Sequence, residues 1–210
     1  AGVCVKGGEQ MGKIMILNAS PRAPRSNSKR YAEIFLKYTK GTAEYFNITK
    51  TNHMELCSLS EAYSDVLFVF PLYADAVPVT LLNFLKSLEK YSSSKKPTIS
   101  VLINCGFIEY KQNNTAVKMV ELFCKQNGYS FGSVLKIGSG EAILDSPFKF
   151  LVTAKIRKLS RSICNKNYIT LKTTMPLPKS LFLKASTQYW IKYGQKYGTS
   201  EEEMQTMKIE

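Results

Sequence analysis

Lys13-Ile-Met-Ile-Leu-Asn-Ala-Ser-Pro-Arg-Ala-Pro-Arg-Ser-Asn-Ser-Lys-Arg30 begins as a short apolar run and breaks into a turn dense in hydroxyl, amide and guanidinium groups. A helical pattern follows directly. A strand–loop–helix of this kind is a mould for phosphate, because the first N–H groups of a helix have no intrahelical acceptor and sit at the positive end of its dipole. Ser20, Ser26, Asn27 and Ser28 add side-chain donors, and Arg22 or Arg25 can supply a charge-assisted fork. Helix capping alone accounts for serine and asparagine here, but it has no use for two arginines. The loop has neither the glycine pattern of a dinucleotide site nor the Gly-Lys-Ser/Thr of a nucleoside-triphosphate loop. It suits a single monophosphate.

Working outward, residues 13–18 read as a buried strand and residues 27–40 as a helix, with Tyr31, Ile34, Phe35 and Tyr38 at helical spacing and Gly41 as its stop. Residues 44–49 alternate as a second strand, and a short helix is expected near 58–63. Asp65-Val-Leu-Phe-Val-Phe70 is continuously apolar, as a central parallel strand is, and Pro71 ends it. A helix over 79–91, a loop over 92–97, a fourth strand at 98–104, a helix over 115–127 closed by Gly128 and a short, edge-like fifth strand at 131–137 complete the alternation. Five strands separated by helices predict an α/β fold, a doubly wound parallel sheet with helices on both faces.

Beyond Gly140 the alternation stops. Phe148, Leu151, Val152, Ile156, Leu159 and Ile163 form one apolar helical stripe, and Leu181, Leu183, Tyr189, Trp190 and Tyr193 mark a last helix over 180–197 after Pro176-Leu-Pro178. Both helices are expected to cap the sheet or build a subunit contact. An interfacial membrane helix is the alternative, set aside because sheet packing explains the same periodicity. The expected organisation is a leader or expression remnant at 1–10, with Met11 as native start, a ligand-binding domain at 11–143, and a helical extension at 144–210 packed on it.

Composition narrows the function. The chain has 210 residues, 44% hydrophobic and 21% charged, which suits one soluble domain. No apolar run approaches the roughly 18 residues that cross a bilayer. Cys4, Cys57, Cys105, Cys124 and Cys164 are scattered without metal or disulfide spacing, as in reduced cytoplasmic proteins. A single histidine, His53, argues against a histidine triad or a multi-histidine metal centre and reads as a surface residue. The net charge of +13 is concentrated late: from Ser146 to Ser200 there is no Asp or Glu, against Lys149, Lys155, Arg157, Lys158, Arg161 and six further lysines. These read mainly as solvated helix faces that also attract phosphorylated ligands; nucleic acid or a membrane surface is not expected as a partner.

In a doubly wound sheet, ligands sit beyond the carboxyl ends of the strands. Three loops should therefore converge. The first is the phosphate turn. The second, Pro71-Leu-Tyr-Ala-Asp-Ala-Val-Pro78, pairs two prolines with an aromatic. The third, Asn104-Cys-Gly-Phe-Ile-Glu109, offers a glycine for close approach and an aromatic wall. A phosphate cradle beside two stiff aromatic loops matches a flat heteroaromatic mononucleotide such as FMN.

Asn18-Ala-Ser-Pro-Arg22 with Ser26-Asn-Ser28, Pro71-Leu-Tyr73 and Asn104-Cys-Gly-Phe107, each after a strand, resemble the flavodoxin-like NAD(P)H-dependent FMN reductases and quinone reductases over about residues 13–140. The resemblance implies a five-stranded parallel sheet in the order 2-1-3-4-5. It places the FMN phosphate on Ser20, Arg22, Ser26, Asn27 and Ser28, and the flavin ring against Pro71, Leu72, Tyr73 and Ala74, with Asn104, Cys105, Gly106 and Phe107 closing its other edge. It also implies backbone donors from Leu72 to Ala74 to the flavin, NADH or NADPH as electron donor, a small-molecule acceptor and a homo-oligomer (dimer or tetramer). The chain departs from the commoner pattern of several glycines in the third loop, having only Gly106. A flavodoxin-type electron carrier is the alternative function, opposed by the basic charge. Cys105 lacks a histidine partner, so no catalytic side chain is assigned.

Overall fold

The computed structural model describes residues 12–206 apart from Pro24, Lys40 and Ser94, so the expected leader lies outside the described residues. In chain order the elements are β1 (Ile14–Asn18), α1 (Asn27–Thr39), β2 (Ala43–Asn47), α2 (His53–Ser60), β3 (Asp65–Pro71), α3 (Val79–Lys90), β4 (Thr98–Asn104), α4 (Asn114–Asn127), β5 (Phe131–Ile137), α5 (Lys149–Cys164), β6 (Thr170–Thr173), α6 (Lys179–Lys196) and α7 (Glu201–Thr206). Short 3-10 turns at Tyr110–Asn113 and Ile143–Asp145 interrupt the loops.

All sheet pairings are parallel, in the order β2-β1-β3-β4-β5-β6. The α/β doubly wound reading therefore stands, with one correction: the sheet has six strands, and β5 is not its edge. β6 is four residues long and its only aliphatic residue is Leu171, so hydrophobic patterning gave no sign of it. Its ladder forms because the β5 edge offers unpaired groups: Val134 N–H donates to Ile169 O and Gly138 N–H to Thr173 O, both at 2.9 Å.

The central strands are buried on both faces, which is why they read as continuous apolar runs. Met15, Leu17, Phe68, Phe70, Val101 and Ile103 point to the face covered by α2, α3 and α4, where they meet Leu81, Phe84 and Val120. Their sequence neighbours face α1 and α5, which pack on each other and bury Tyr31, Phe35, Val152, Ile156, Leu159 and Ile163.

The second helix starts earlier than expected. Asn52 accepts the Thr49 N–H at 2.9 Å and donates to Asn47 O at 3.0 Å, folding the polar connection tightly enough for α2 to begin at His53. His53 is half-buried, edge-on to Phe84 at 5.9 Å.

The residues up to Met175 form one compact unit, which includes α5 and β6, and those from Pro176 form a second. In the second, α7 doubles back on α6. Ser200 caps α7, accepting the Glu203 N–H at 3.2 Å while Glu203 takes the Ser200 N–H at 2.6 Å. Met204 fills the space a side chain at Gly194 would need.

Candidate functional site

The register sets the strand ends level. Asn18 lies opposite Val69, Pro71 opposite Asn104, and Asn104 opposite Ile137, so the three expected loops leave one edge of the sheet together. Between them is a cavity of about 460 Å3. Its walls include all five residues assigned to phosphate (Ser20, Arg22, Ser26, Asn27 and Ser28), together with Arg25, Pro71, Tyr73 and Asn104.

The phosphate turn is pinned from below. Asn18 Nδ2 donates to Tyr45 Oη at 2.8 Å, and Asn18 Oδ1 accepts the Ser20 N–H at 3.0 Å. Ser26 caps α1 by accepting the Lys29 N–H at 3.2 Å. Ser20 Oγ accepts from the Arg22 N–H at 3.3 Å, and Ser28 Oγ from Asn104 Nδ2 at 3.2 Å. The hydroxyl protons of Ser20 and Ser28 therefore remain available for an anion, as do the Asn27 and Ser28 N–H groups of the first helical turn. Four cations line the cavity against two carboxylates, Glu33 and Glu141. Arg30 is committed to Asp145 through contacts of 2.8 and 2.5 Å, which raise the arginine pKa and hold the Asp145 carboxyl below its usual range. Lys29 faces Glu33 at 4.0 Å. Arg22 and Arg25 make no ion pair among the described residues.

The second loop is a tight reversal. Ala76 N–H donates to Tyr73 O at 2.9 Å, with φ of 45° at Ala74 and 56° at Asp75. Two left-handed residues without a glycine cost on the order of 1 kcal/mol each, strain that concentrates at functional positions. Tyr73 is 41% exposed at its end. Leu72 N–H is spent on Asn104 O at 2.8 Å and Tyr73 N–H on Ala76 O at 3.3 Å. Of the three amides expected to serve a ligand, only that of Ala74 keeps its donor free of a backbone acceptor.

The third loop needs a larger correction. Asn104 joins the strand ends, donating to Ser28 Oγ and Phe70 O, both at 3.2 Å. Cys105 turns inward. Its N–H donates to Ile137 O, its carbonyl accepts from Gly140 N–H at 2.7 Å, and burial pushes its thiol pKa up to about 11. It supports the loop and does not line the cavity. Nor do Leu72, Ala74, Gly106 or Phe107, although Gly106 faces Glu141 and Phe107 is 56% exposed.

Sequence reasoning missed Glu141, Arg30 and the Tyr31–Gly140 contact, in which Tyr31 Oη donates to Gly140 O at 2.6 Å. Burial raises the Tyr31 pKa, keeping the phenol a donor. Glu141 could have been found, since it follows β5 on the same edge of the sheet. Tyr31 could not, because it reads only as part of the apolar stripe of α1.

By sequence, no family model and no curated protein matches the chain. Solved structures do. An FMN-dependent NADH-azoreductase from Bacillus anthracis in complex with FMN has a TM-score of 0.58 at 15% identity, over 74% of this chain and 100% of that one. The NAD(P)H:quinone oxidoreductase of Methanothermobacter marburgensis gives 0.58 at 14%, over 73% and 96%. A flavodoxin from Streptococcus pneumoniae gives 0.54 at 10%, over 73% and 99%.

The fold is flavodoxin-like. Its neighbours are azoreductases and quinone reductases, the group the sequence motifs resemble. At these identities the likeness is one of fold. No described helix is long and apolar enough to cross a membrane.

Proposed function

We propose that the chain is an FMN-dependent oxidoreductase that moves hydride from NADH or NADPH to a small acceptor such as a quinone, a nitro or azo compound, or free flavin. One observation carries the reading: unspent phosphate donors and a strained aromatic turn line the same cavity at the carboxyl edge of the sheet. The donor set fits a flavin mononucleotide. Asn27 and Ser28 N–H, the Ser20 and Ser28 hydroxyls and the unpaired Arg22 and Arg25 suit a dianionic phosphate. Tyr73 and Pro71 supply a flat apolar wall for the ring, and Ala74 N–H a donor at its polar edge.

Held by the Ser20, Arg22, Ser26, Asn27 and Ser28 cradle, FMN would supply the hydride-transfer chemistry between nicotinamide and acceptor. The protein binds, orients and screens. Arg22 and Arg25 fix the phosphate, the Tyr73–Ala76 turn holds its amide in place before a ligand arrives, and Phe107 offers an exposed surface for the acceptor. The basic surface draws in phosphorylated nicotinamides.

The test is an FMN titration of the purified protein, followed by NAD(P)H oxidation with a quinone or azo dye. Uptake of FMN and direct turnover are expected; turnover without a partner reductase separates an enzyme from a carrier. Arg22→Ala should weaken FMN about tenfold, the loss of one charge-assisted contact. Protein that takes up no FMN at any concentration would end the proposal.

A further inference from the structure

Lys136 of β5 and Lys172 of β6 are register partners, so two ammonium groups rise side by side from the same face of the sheet. Like charges placed together in this way weaken a ladder, and the fold gains nothing from them. Tyr110 and Lys111 complete the cluster. Lys172 Nζ lies 5.2 Å over the Tyr110 ring. Polar contact with Lys172, followed by the charges of Lys111 and Lys136, holds the Tyr110 phenol pKa below its ordinary value. Lys136 donates to Asn114 Oδ1 at 2.8 Å. The segment that carries Tyr110 is fixed against the sheet. Asn113 is fully buried and donates to Tyr110 O and Ile137 O, both at 3.2 Å, while Thr174 donates to Ile108 O at 2.6 Å. Gly138 permits the approach, since a Cβ there would sit 2.6 Å from Ile108 O. All of these residues belong to the first compact unit, and among its described residues none of the three lysines pairs with a carboxylate.

We propose that Tyr110, Lys111, Lys136 and Lys172 bind the 2′-phosphate of NADPH and make it the preferred electron donor. The inference deepens the oxidoreductase reading and rests on it. A phosphate monoester accepts charge-assisted hydrogen bonds on all of its free oxygens, which ammonium groups and a phenol can donate. It is also the one group that NADPH has and NADH lacks. The position fits a dinucleotide. Tyr110 comes three residues after Phe107, no more than about 11 Å of extended chain. That is within the span from a nicotinamide ring to its adenosine ribose.

Calorimetric titration of the full chain without flavin tests the site alone. The probes are adenosine 2′,5′-bisphosphate, adenosine 5′-monophosphate and inorganic phosphate. The bisphosphate should bind about tenfold more tightly than the monophosphate, the effect of added charge-assisted contacts. Lys136→Gln and Lys172→Gln should each remove most of that preference. Both variants should melt no lower than the parent, because one of two adjacent like charges is gone. In flavin-loaded protein the ratio of kcat/KM for NADPH to that for NADH should fall by the same factor. Equal binding of the two nucleotides overturns the proposal, and so does a preference that survives both substitutions. A lowered melting midpoint with unchanged binding would make the lysines structural and also overturn it. Inorganic phosphate bound as tightly as the bisphosphate would do the same, leaving a site for the free ion. FMN uptake is scored separately: its failure ends the oxidoreductase reading, while the nucleotide titration still decides the phosphate site.

Discussion

The two edges of the sheet are built from similar polar residues to opposite ends. At the amino edge, Asp65 opens β3 fully buried, accepts from Ser64 Oγ at 2.6 Å and Tyr168 Oη at 3.0 Å, and pairs with Lys166. The groups there satisfy one another. At the carboxyl edge Asn18, Ser20, Ser28 and Asn104 are buried as well, but there the two asparagines hold the loops while the Ser20 and Ser28 hydroxyls face a cavity in which cations outnumber carboxylates. Buried polar groups that close on each other hold a fold, and those left pointing at a shared space mark a site.

The comparison breaks most visibly at Asp65. Asp65→Ala removes the acceptor for three donors and leaves Lys166 without its partner, so it should cost about 3 kcal/mol in urea unfolding. FMN affinity should stay within about twofold, because the change lies at the far edge. A large affinity loss would mean that the edges are not separable. Gly132→Ala comes next. A Cβ there would sit 2.5 Å from Ser100 Oγ and 2.9 Å from Thr98 Cγ2, under the Tyr168 ring, and overpacking of this kind should cost about 2 kcal/mol.

The two edges were not equally legible. The carboxyl edge announced itself, since hydroxyls, amides and arginines after a buried strand have few other uses, and the apolar runs of β1, β3 and β4 fixed where the loops depart. The amino-edge lock did not. Lys166 and Tyr168 come a hundred residues after Asp65, and nothing local pairs them. β6 escaped for a related reason, because its ladder depends on the β5 edge and not on its own hydrophobicity. The inward turn of Cys105 was equally hidden, for a cysteine before glycine reads the same whether it faces ligand or core.

A smaller effect sits where the site meets the fold. The Asp145 carboxyl is held low mainly by its hydrogen bonds from Arg30, so the pair stabilises the protein above the ordinary carboxylate value of about 3.9 and loses that contribution as pH falls through the lower folded value. The pair is largely exposed, and solvent screening limits it to about 0.5 kcal/mol. Asp145→Asn should therefore differ from the parent by that amount at pH 7 and converge with it as the pH falls below the folded Asp145 value. Released from Asp145, Arg30 should leave FMN binding unchanged or tighten it slightly. A weaker affinity would show that the ion pair positions the cradle.

The smallest effect on stability belongs to Gly106, and it sharpens the contrast with Gly132. A Cβ at 106 would meet nothing nearer than Glu141 Cδ at 3.8 Å, an ordinary contact. The protein's own packing thus gives no reason for glycine there, and Gly106→Ala should change the unfolding free energy by less than about 0.5 kcal/mol. If the third loop closes on a flavin ring, the added methyl meets the ligand instead, and FMN affinity should fall several-fold while the melting curve stays in place. Calorimetric titration of the variant separates the two readings. Unchanged affinity would move the ring away from Gly106, toward the Pro71 and Tyr73 wall alone. A loss of affinity without a loss of stability would tie this glycine to a ligand, as the crowding around Gly132 ties that one to the fold.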